Sequence, residues 1–409
     1  MADKVTGGAA TGPHVLRRMN LAAVSKALRE HTSHSPRITD LVSATGLSRP
    51  AVGRALDDLR RAGLVEFTAD APSPRMGRPA QQVRFRAEAG HVAGVDIGPH
   101  KALVMVADLA GNVLASHRAT MPDLPHGRRV FEAVRSALVA ASAEAAVPVE
   151  SLWAVTVGTP GVIDQGEILL APSIPGWAGL PVRRMLSRWL GCPVHLDNDV
   201  NLAVLGERWR GAAQDADDLV FVQWGERIGT GILIGGKPYC GASSAAGELG
   251  FIDVVSGADR GAGHRPGEAM GSFESLVGAK AIRELAQDMG AVGEAGRGIA
   301  ALFAAASEGS PTALAVLDRV AARFARGLAT LLLLLDPGLV VIGGGVSRGG
   351  DILLEPILRH LEHQTLVPTE VRLSLLGETA TACGAVAHAL ASVESRLVAG
   401  TDAAVTRGG

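Results

Sequence analysis

Apolar side chains recur at helical spacing near the start of the chain, at Leu16, Met19, Leu21, Val24, Ala27 and Leu28, and again at Val52, Leu56 and Leu59. The first set predicts a helix over Val15–His31. The second predicts a helix opening at Ser48, with Pro50 in its first turn. Between them, Thr39 to Gly46 reads as a short helix capped by Thr39 and ended by Gly46. Leu64–Phe67 and Gln82–Phe85 read as the two strands of a hairpin with a Pro, Gly and Arg-rich tip.

Beyond residue 90 the pattern changes to short buried strands that end in Gly-rich turns and alternate with helices. Strands are predicted at His91–Gly98, at Ala102–Ala107, after Gly111-Asn112, at Leu152–Val157, Pro193–Leu196, Leu219–Gln223, Gly231–Ile234 and Leu339–Ile342, and near 371–376. Helices are predicted at Phe131–Ala145, Leu202–Arg210, about 272–289, 296–307, 311–335, 350–363 and 382–396. This alternation predicts an α/β fold with ligands at the strand ends.

With 409 residues, two or three domains are expected. The three cysteines, Cys192, Cys240 and Cys383, lie far apart. That excludes a disulfide framework and a Cys-rich metal site, and it fits a reducing cytoplasm. Met1 to Pro13 is polar and Gly-rich, reads as disordered, and has no signal-peptide pattern. The apolar run Leu328–Leu335 is too short to cross a bilayer.

Net charge is −2 overall, but residues 14–86 carry thirteen Lys and Arg against six Asp and Glu, whereas residues 87–409 carry twenty-five against thirty-four. A basic head on an acidic body fits a nucleic-acid binder with a separate ligand domain.

Two short helices joined at Gly46, the second with outward Arg49 and Arg54, form a helix-turn-helix pattern, and the hairpin supplies a wing. Ser48, Arg49 and Arg54 are the candidate DNA contacts on the helix. In the wing, Gly77-Arg78-Pro79 would aim the Arg78 guanidinium at a narrow minor groove. Gly53 weakens this helix and offers no side chain to a base edge.

In the body, Gly94-Val-Asp-Ile-Gly98, Gly158-Thr-Pro-Gly161, Asp197-Asn-Asp-Val-Asn201, Ala245-Ala-Gly-Glu-Leu-Gly250 and Ile342-Gly-Gly-Gly-Val346 occur in order. With these landmarks the chain from about 14 to 397 resembles the ROK family of repressors, open reading frames and sugar kinases. The resemblance implies an actin-like, two-lobed, ribonuclease H-like sugar-kinase fold behind an N-terminal winged helix-turn-helix domain. It divides the chain into a head over 14–86 and a body over 87–397, with a flexible end at 398–409. The first lobe would take about 87–196 and 376–397, the second about 197–375.

In such kinases an Asn-Asp pair binds sugar hydroxyls and the Asp is the general base. Asn198 and Asp199 stand at those places; the alternative is that they merely cap the helix at 202–210, but with Glu248 in register the sugar reading is preferred. Glu248 resembles the next hydroxyl acceptor, and Glu274 the Glu that closes the family's zinc segment. The phosphate turns depart from the kinase pattern. Pro99 and His100 replace Gly and Thr after Asp96 and Gly98, and Gly225-Glu226-Arg227 replaces Gly-Thr-Gly. Only Gly343–Gly345 is kept. The zinc ligands are missing, because Phe251 replaces the family's His and no Cys occurs from 241 to 382.

The expectation is a cytoplasmic, sugar-responsive repressor with no cofactor and no kinase activity, in which Asp199 is a vestigial base. Its partners would be an operator duplex, a sugar or sugar-derived effector and one or three further copies of itself, with no membrane. An active sugar kinase with a DNA-binding head and a regulator without ligand control are the alternatives.

Overall fold

The computed structural model describes residues 13–31, 33, 35–69, 81–98, 100–121, 126–253, 271–292 and 298–399. The chain divides into two compact units. One comprises residues 1–92, 107–114 and 390–409, and the other 93–106 and 115–389. Of the sequence-based body, 87–397, residues 87–92, 107–114 and 390–397 fall in the unit that holds the head. Residues 398 and 399 are helical. Pro13, the last residue of the predicted N-terminal tail, is the first of a helix, and the tails otherwise lie outside the described residues.

The head begins with α1 (Pro13–Glu30), α2 (Ile38–Thr45) and α3 (Arg49–Arg61). Thr39 falls inside the first turn of α2 instead of capping it. The Asp40 carboxylate accepts the Arg37 N–H at 2.9 Å, placing the cap two residues earlier than predicted. Gly46, at φ 66°, ends the helix. Ser48 caps α3 by accepting the Ala51 N–H at 3.4 Å. On α3, Val52, Ala55, Leu56 and Leu59 are buried, and the head's core also takes Val24, Leu28, Leu41, Leu64 and Val83. Strands β1 (Val65–Ala69) and β2 (Gln81–Phe85) pair antiparallel with Phe67 opposite Val83. The predicted wing tip, including Gly77, Arg78 and Pro79, lies outside the described residues.

The body carries two five-stranded sheets. The first is built from β3 (His91–Ile97), β4 (Lys101–Asp108), β5 (Val113–Thr120), β6 (Leu152–Thr159) and, after a small hairpin of β7 (Val162–Asp164) and β8 (Glu167–Leu170), β9 (Val194–Asn198). Helix α4 (Gly127–Glu144) lies between β5 and β6, and α5 (Val182–Leu190) precedes β9. The strand order is β5-β4-β3-β6-β9.

Helix α6 (Asp199–Arg210) leads into β10 (Leu219–Trp224), β11 (Ile228–Ile234) and β12 (Lys237–Pro238). Next come α7 (Glu274–Val277), α8 (Ala279–Asp288), α9 (Ile299–Ser307), α10 (Pro311–Leu335), β13 (Leu339–Gly343), α11 (Asp351–Leu361), β14 (Glu370–Leu373) and α12 (Ala380–Ala399). The second sheet has the order β12-β11-β10-β13-β14. Numbered within its own sheet, each reads 3-2-1-4-5, so one topology is used twice, as the predicted two-lobed actin-like fold requires.

Each sheet has its own core. Phe131, Leu138, Leu186 and Trp177 pack on the first, and Phe324, Leu317, Phe273 and Trp224 on the second. Trp224 and Phe324 stack with ring centroids 3.7 Å apart. Helix α6 crosses α12 at two glycines: a Cβ on Gly384 would stand 1.7 Å from the Leu202 carbonyl oxygen, and one on Gly206 would stand 2.2 Å from that of Ala380. Among the described residues no single helix is long and apolar enough to cross a membrane.

Candidate functional site

On α3 the apolar stripe faces inward, which leaves Arg49 and Arg54 exposed. Other arginines here are tied. Arg60 pairs with Asp57 and lies over the Phe67 ring, Arg61 and Arg17 share Asp58, and Arg84 holds Glu66 and Glu88. Among the described residues, Arg49 and Arg54 have no ion pair. Their charges are therefore available to an outside anion, while Ser48 shapes the helix start.

In the body, the ends of β3 and β9 and the start of α6 bring carboxylates together. Asn198 is the cap residue of α6. Its side-chain oxygen accepts the Val200 and Asn201 N–H groups at 2.9 and 3.3 Å, and its amide donates to the Gly161 carbonyl at 2.8 Å. Gly161 has φ 114°, and a Cβ there would lie 2.0 Å from the Leu170 carbonyl oxygen. The Gly-Thr-Pro-Gly turn is thus a backbone acceptor locked against β8.

Asp199, the first residue of α6, is half-buried, and desolvation pushes its carboxyl up to about 6 against the Val200 N–H that favours the anion. Asp96, at the end of β3, is pushed up to about 7 by burial and by the charge of Asp199, opposed by Lys101. Glu248 is raised by burial and then by Asp199 and Glu274. Arg227 acts on both Asp199 and Glu248 in the opposite direction. Asp96, Asp199, Glu248 and Arg227 therefore form one electrostatic cluster.

Glu274 differs in kind. It is 2 % exposed, and its oxygens accept the Gly271 and Ile228 N–H groups at 2.9 and 3.2 Å. It braces β11 and the loop before α7.

The turn that stands in place of the second phosphate turn is short. Gly225-Glu226-Arg227 is the tight hairpin turn between β10 and β11, closed by Gly225 N–H donating to the Arg227 carbonyl at 3.0 Å. The Glu226 carboxylate turns to Arg283 at 2.6 Å, and its repulsion of an anion is thereby weakened. Pro99 lies outside the described residues. Lys101 meets Glu378, which also takes Arg118 at 2.7 Å and Arg348. Neither Arg227 nor Glu378 stood out in the sequence as a site residue, because both act through positions that only the folded turns create.

Among the described residues no group of three His, Cys, Asp or Glu could hold a metal ion, and Phe251 offers no donor. His264 lies outside the described residues.

Residues 92–392 match the ROK family. The chain belongs to the ROK family. Its ROK segment contains the Asp96, Asp199, Arg227 and Glu248 cluster. A xylose repressor from Caldicellulosiruptor bescii is 24 % identical over 402 residues, covering 93 % of this chain and 98 % of the relative. Among solved structures, a ROK family transcriptional regulator, a homologue of the E. coli MLC protein, covers 94 % of this chain and 98 % of its own with a TM-score of 0.78 at 21 % identity. A ROK family glucokinase from Streptomyces griseus, solved with glucose and AMPPNP, is 30 % identical with a TM-score of 0.63, but covers 73 % of this chain against 99 % of its own.

Proposed function

We propose that this ROK protein is a cytoplasmic, DNA-binding transcriptional repressor whose kinase-like body binds a sugar or sugar derivative and sets operator affinity. The observation that carries this reading is α3 with its outward Arg49 and Arg54, which have no ion pair among the described residues, in a chain that a xylose repressor matches nearly end to end. Asp199 and Glu248 would accept hydroxyl hydrogens of the ligand, as carboxylates do when they bridge neighbouring hydroxyls. A two-fold dimer would read a palindromic operator, with one α3 per half-site.

Selection of bound duplexes from a random pool tests the first half. A defined site should emerge, and Arg54→Ala should weaken binding to it by about 1–3 kcal/mol if the contact is bidentate. Arg78→Ala should lose affinity mainly where the flanks are A·T-rich. Operator affinity that survives both substitutions unchanged would remove these residues from the DNA interface.

The body acts without phosphoryl transfer in this reading. Positioning the transferred phosphate depends on turns that leave room for it and place donors on it. Here the Arg227 charge acts on Asp199, and Lys101 is held by Glu378. The likeness to a glucokinase and the raised Asp199 favour the alternative of an active kinase. Sugar-dependent ADP formation decides between them: the repressor reading expects no more than from an Asp199→Ala control. Elemental analysis of purified protein should likewise find no stoichiometric zinc.

A further inference from the structure

The head unit contains a cavity of about 290 Å³ between α1, the last turns of α3 and the end of α12. Its floor is apolar: Leu21, Leu59, Leu64 and Leu397 line it, with Leu59 and Leu64 almost wholly buried. Its rim is cationic. Arg17, Arg18 and Arg61 stand there with one carboxylate, Asp58. Asp58 is saturated, since Arg17 donates to both its oxygens at 2.7 and 2.6 Å and Arg61 donates to one of them. The Arg17 hydrogen bond holds that carboxyl below the usual carboxylate range.

Arg18 is different. It donates to the Ala399 carbonyl at 3.3 Å, and among the described residues no carboxylate meets it. Three guanidinium groups against one carboxylate leave two positive charges above an apolar floor. The volume is near the lower end of small-molecule pockets, roughly 300 Å³. We infer that this cavity binds a small apolar carboxylate, with a ring or branched chain on the leucines and the anionic group on Arg18. Charge-assisted hydrogen bonds from guanidinium to carboxylate are about twice as strong as neutral ones, so the charge is part of what is recognised. Because Asp58, Leu59 and Arg61 belong to the helix that carries Arg49 and Arg54, an occupant would touch the proposed DNA-reading element itself.

Equilibrium dialysis of the full-length protein against benzoate, with benzyl alcohol as the neutral counterpart, tests the site. Saturable binding of one benzoate per chain is expected, with the alcohol weaker by on the order of tenfold. Arg18→Ala should weaken benzoate by a similar factor and Arg18→Lys should recover part of it. Leu21→Trp, which fills the floor, should abolish binding in a chain whose circular dichroism remains native. Absence of saturable benzoate binding, equal binding of the alcohol, or benzoate affinity unmoved in both Arg18→Ala and Leu21→Trp would overturn the assignment. No DNA enters the measurement, so its failure would leave the repressor reading standing.

Discussion

At Asp199 the burial that suits a ligand's hydroxyl group works against the folded chain. The carboxyl is raised to about 6, above its ordinary 3.8, so between those values the folded state holds a proton that the unfolded state has released. Stability therefore falls as pH rises through this window, and the full cost of the buried charge is present above it. Asp96, raised to about 7 in part by Asp199, extends the window upward. Asp199→Asn should stabilise the protein at pH 8 by on the order of 1–3 kcal/mol and flatten the fall between pH 4 and 7. Urea unfolding across that range measures it, and a variant that is less stable than the wild type at pH 8 would contradict the cause given. The residue-scale reading of the sequence was uneven for a physical reason. Asn198 and Asp199 are adjacent, but one is consumed as a helix cap while the other stays in the carboxylate cluster. A motif states which residues are present, not which lone pairs are already taken. Glu274 makes the same point, because two backbone N–H groups occupy it.

Among the elements, those with strong periodicity were legible and those interrupted by one residue were not. The predicted helix over about 272–289 is two helices, because Gly278 is extended at φ −64°, ψ 161° and a Cβ there would meet the Glu226 carbonyl at 2.8 Å. Helix α5 was not foreseen, although Val182, Leu186 and Leu190 recur every four residues and are buried; the flanking prolines and glycines hid it. The hairpin β7–β8 was missed because strands this short carry too few alternations to read. Glycines in helices likewise look alike in sequence and differ in structure. Gly384→Ala should destabilise by about 1–3 kcal/mol, since α6 and α12 must separate to admit the methyl group. Gly53→Ala should stabilise the head by up to ~1 kcal/mol through helix propensity, as nothing lies within 4 Å of the added carbon. Denaturant midpoints that move in the same direction for both variants would refute the close-crossing argument.

For the whole molecule, the alternation of strands and helices was largely readable, and the two lobes followed from the family resemblance; the grouping of residues into compact units was not readable. Segments 107–114 and 390–399 join the head through contacts remote in sequence, such as Arg29 with Glu394 at 2.7 Å. The chain consequently passes from one unit to the other inside regular elements: within β3 at Val92, within β4 at Val106, within β5 at Leu114 and within α12 at Ala389. If a sugar on Asp199 and Glu248 biases the body between two arrangements, operator affinity must change with it. By linkage the operator must then change sugar affinity by the same factor, typically 1–3 kcal/mol. Asp199→Ala should therefore abolish the response to the sugar while leaving ligand-free operator binding nearly intact, because Asp199 lies outside the DNA-reading unit. The measurement is an operator titration of wild type and variant, with and without a sugar found by thermal-shift screening of the full chain. A wild-type protein that binds the sugar and yet shows one operator affinity in both conditions would leave a DNA-binding regulator whose body is not its sensor.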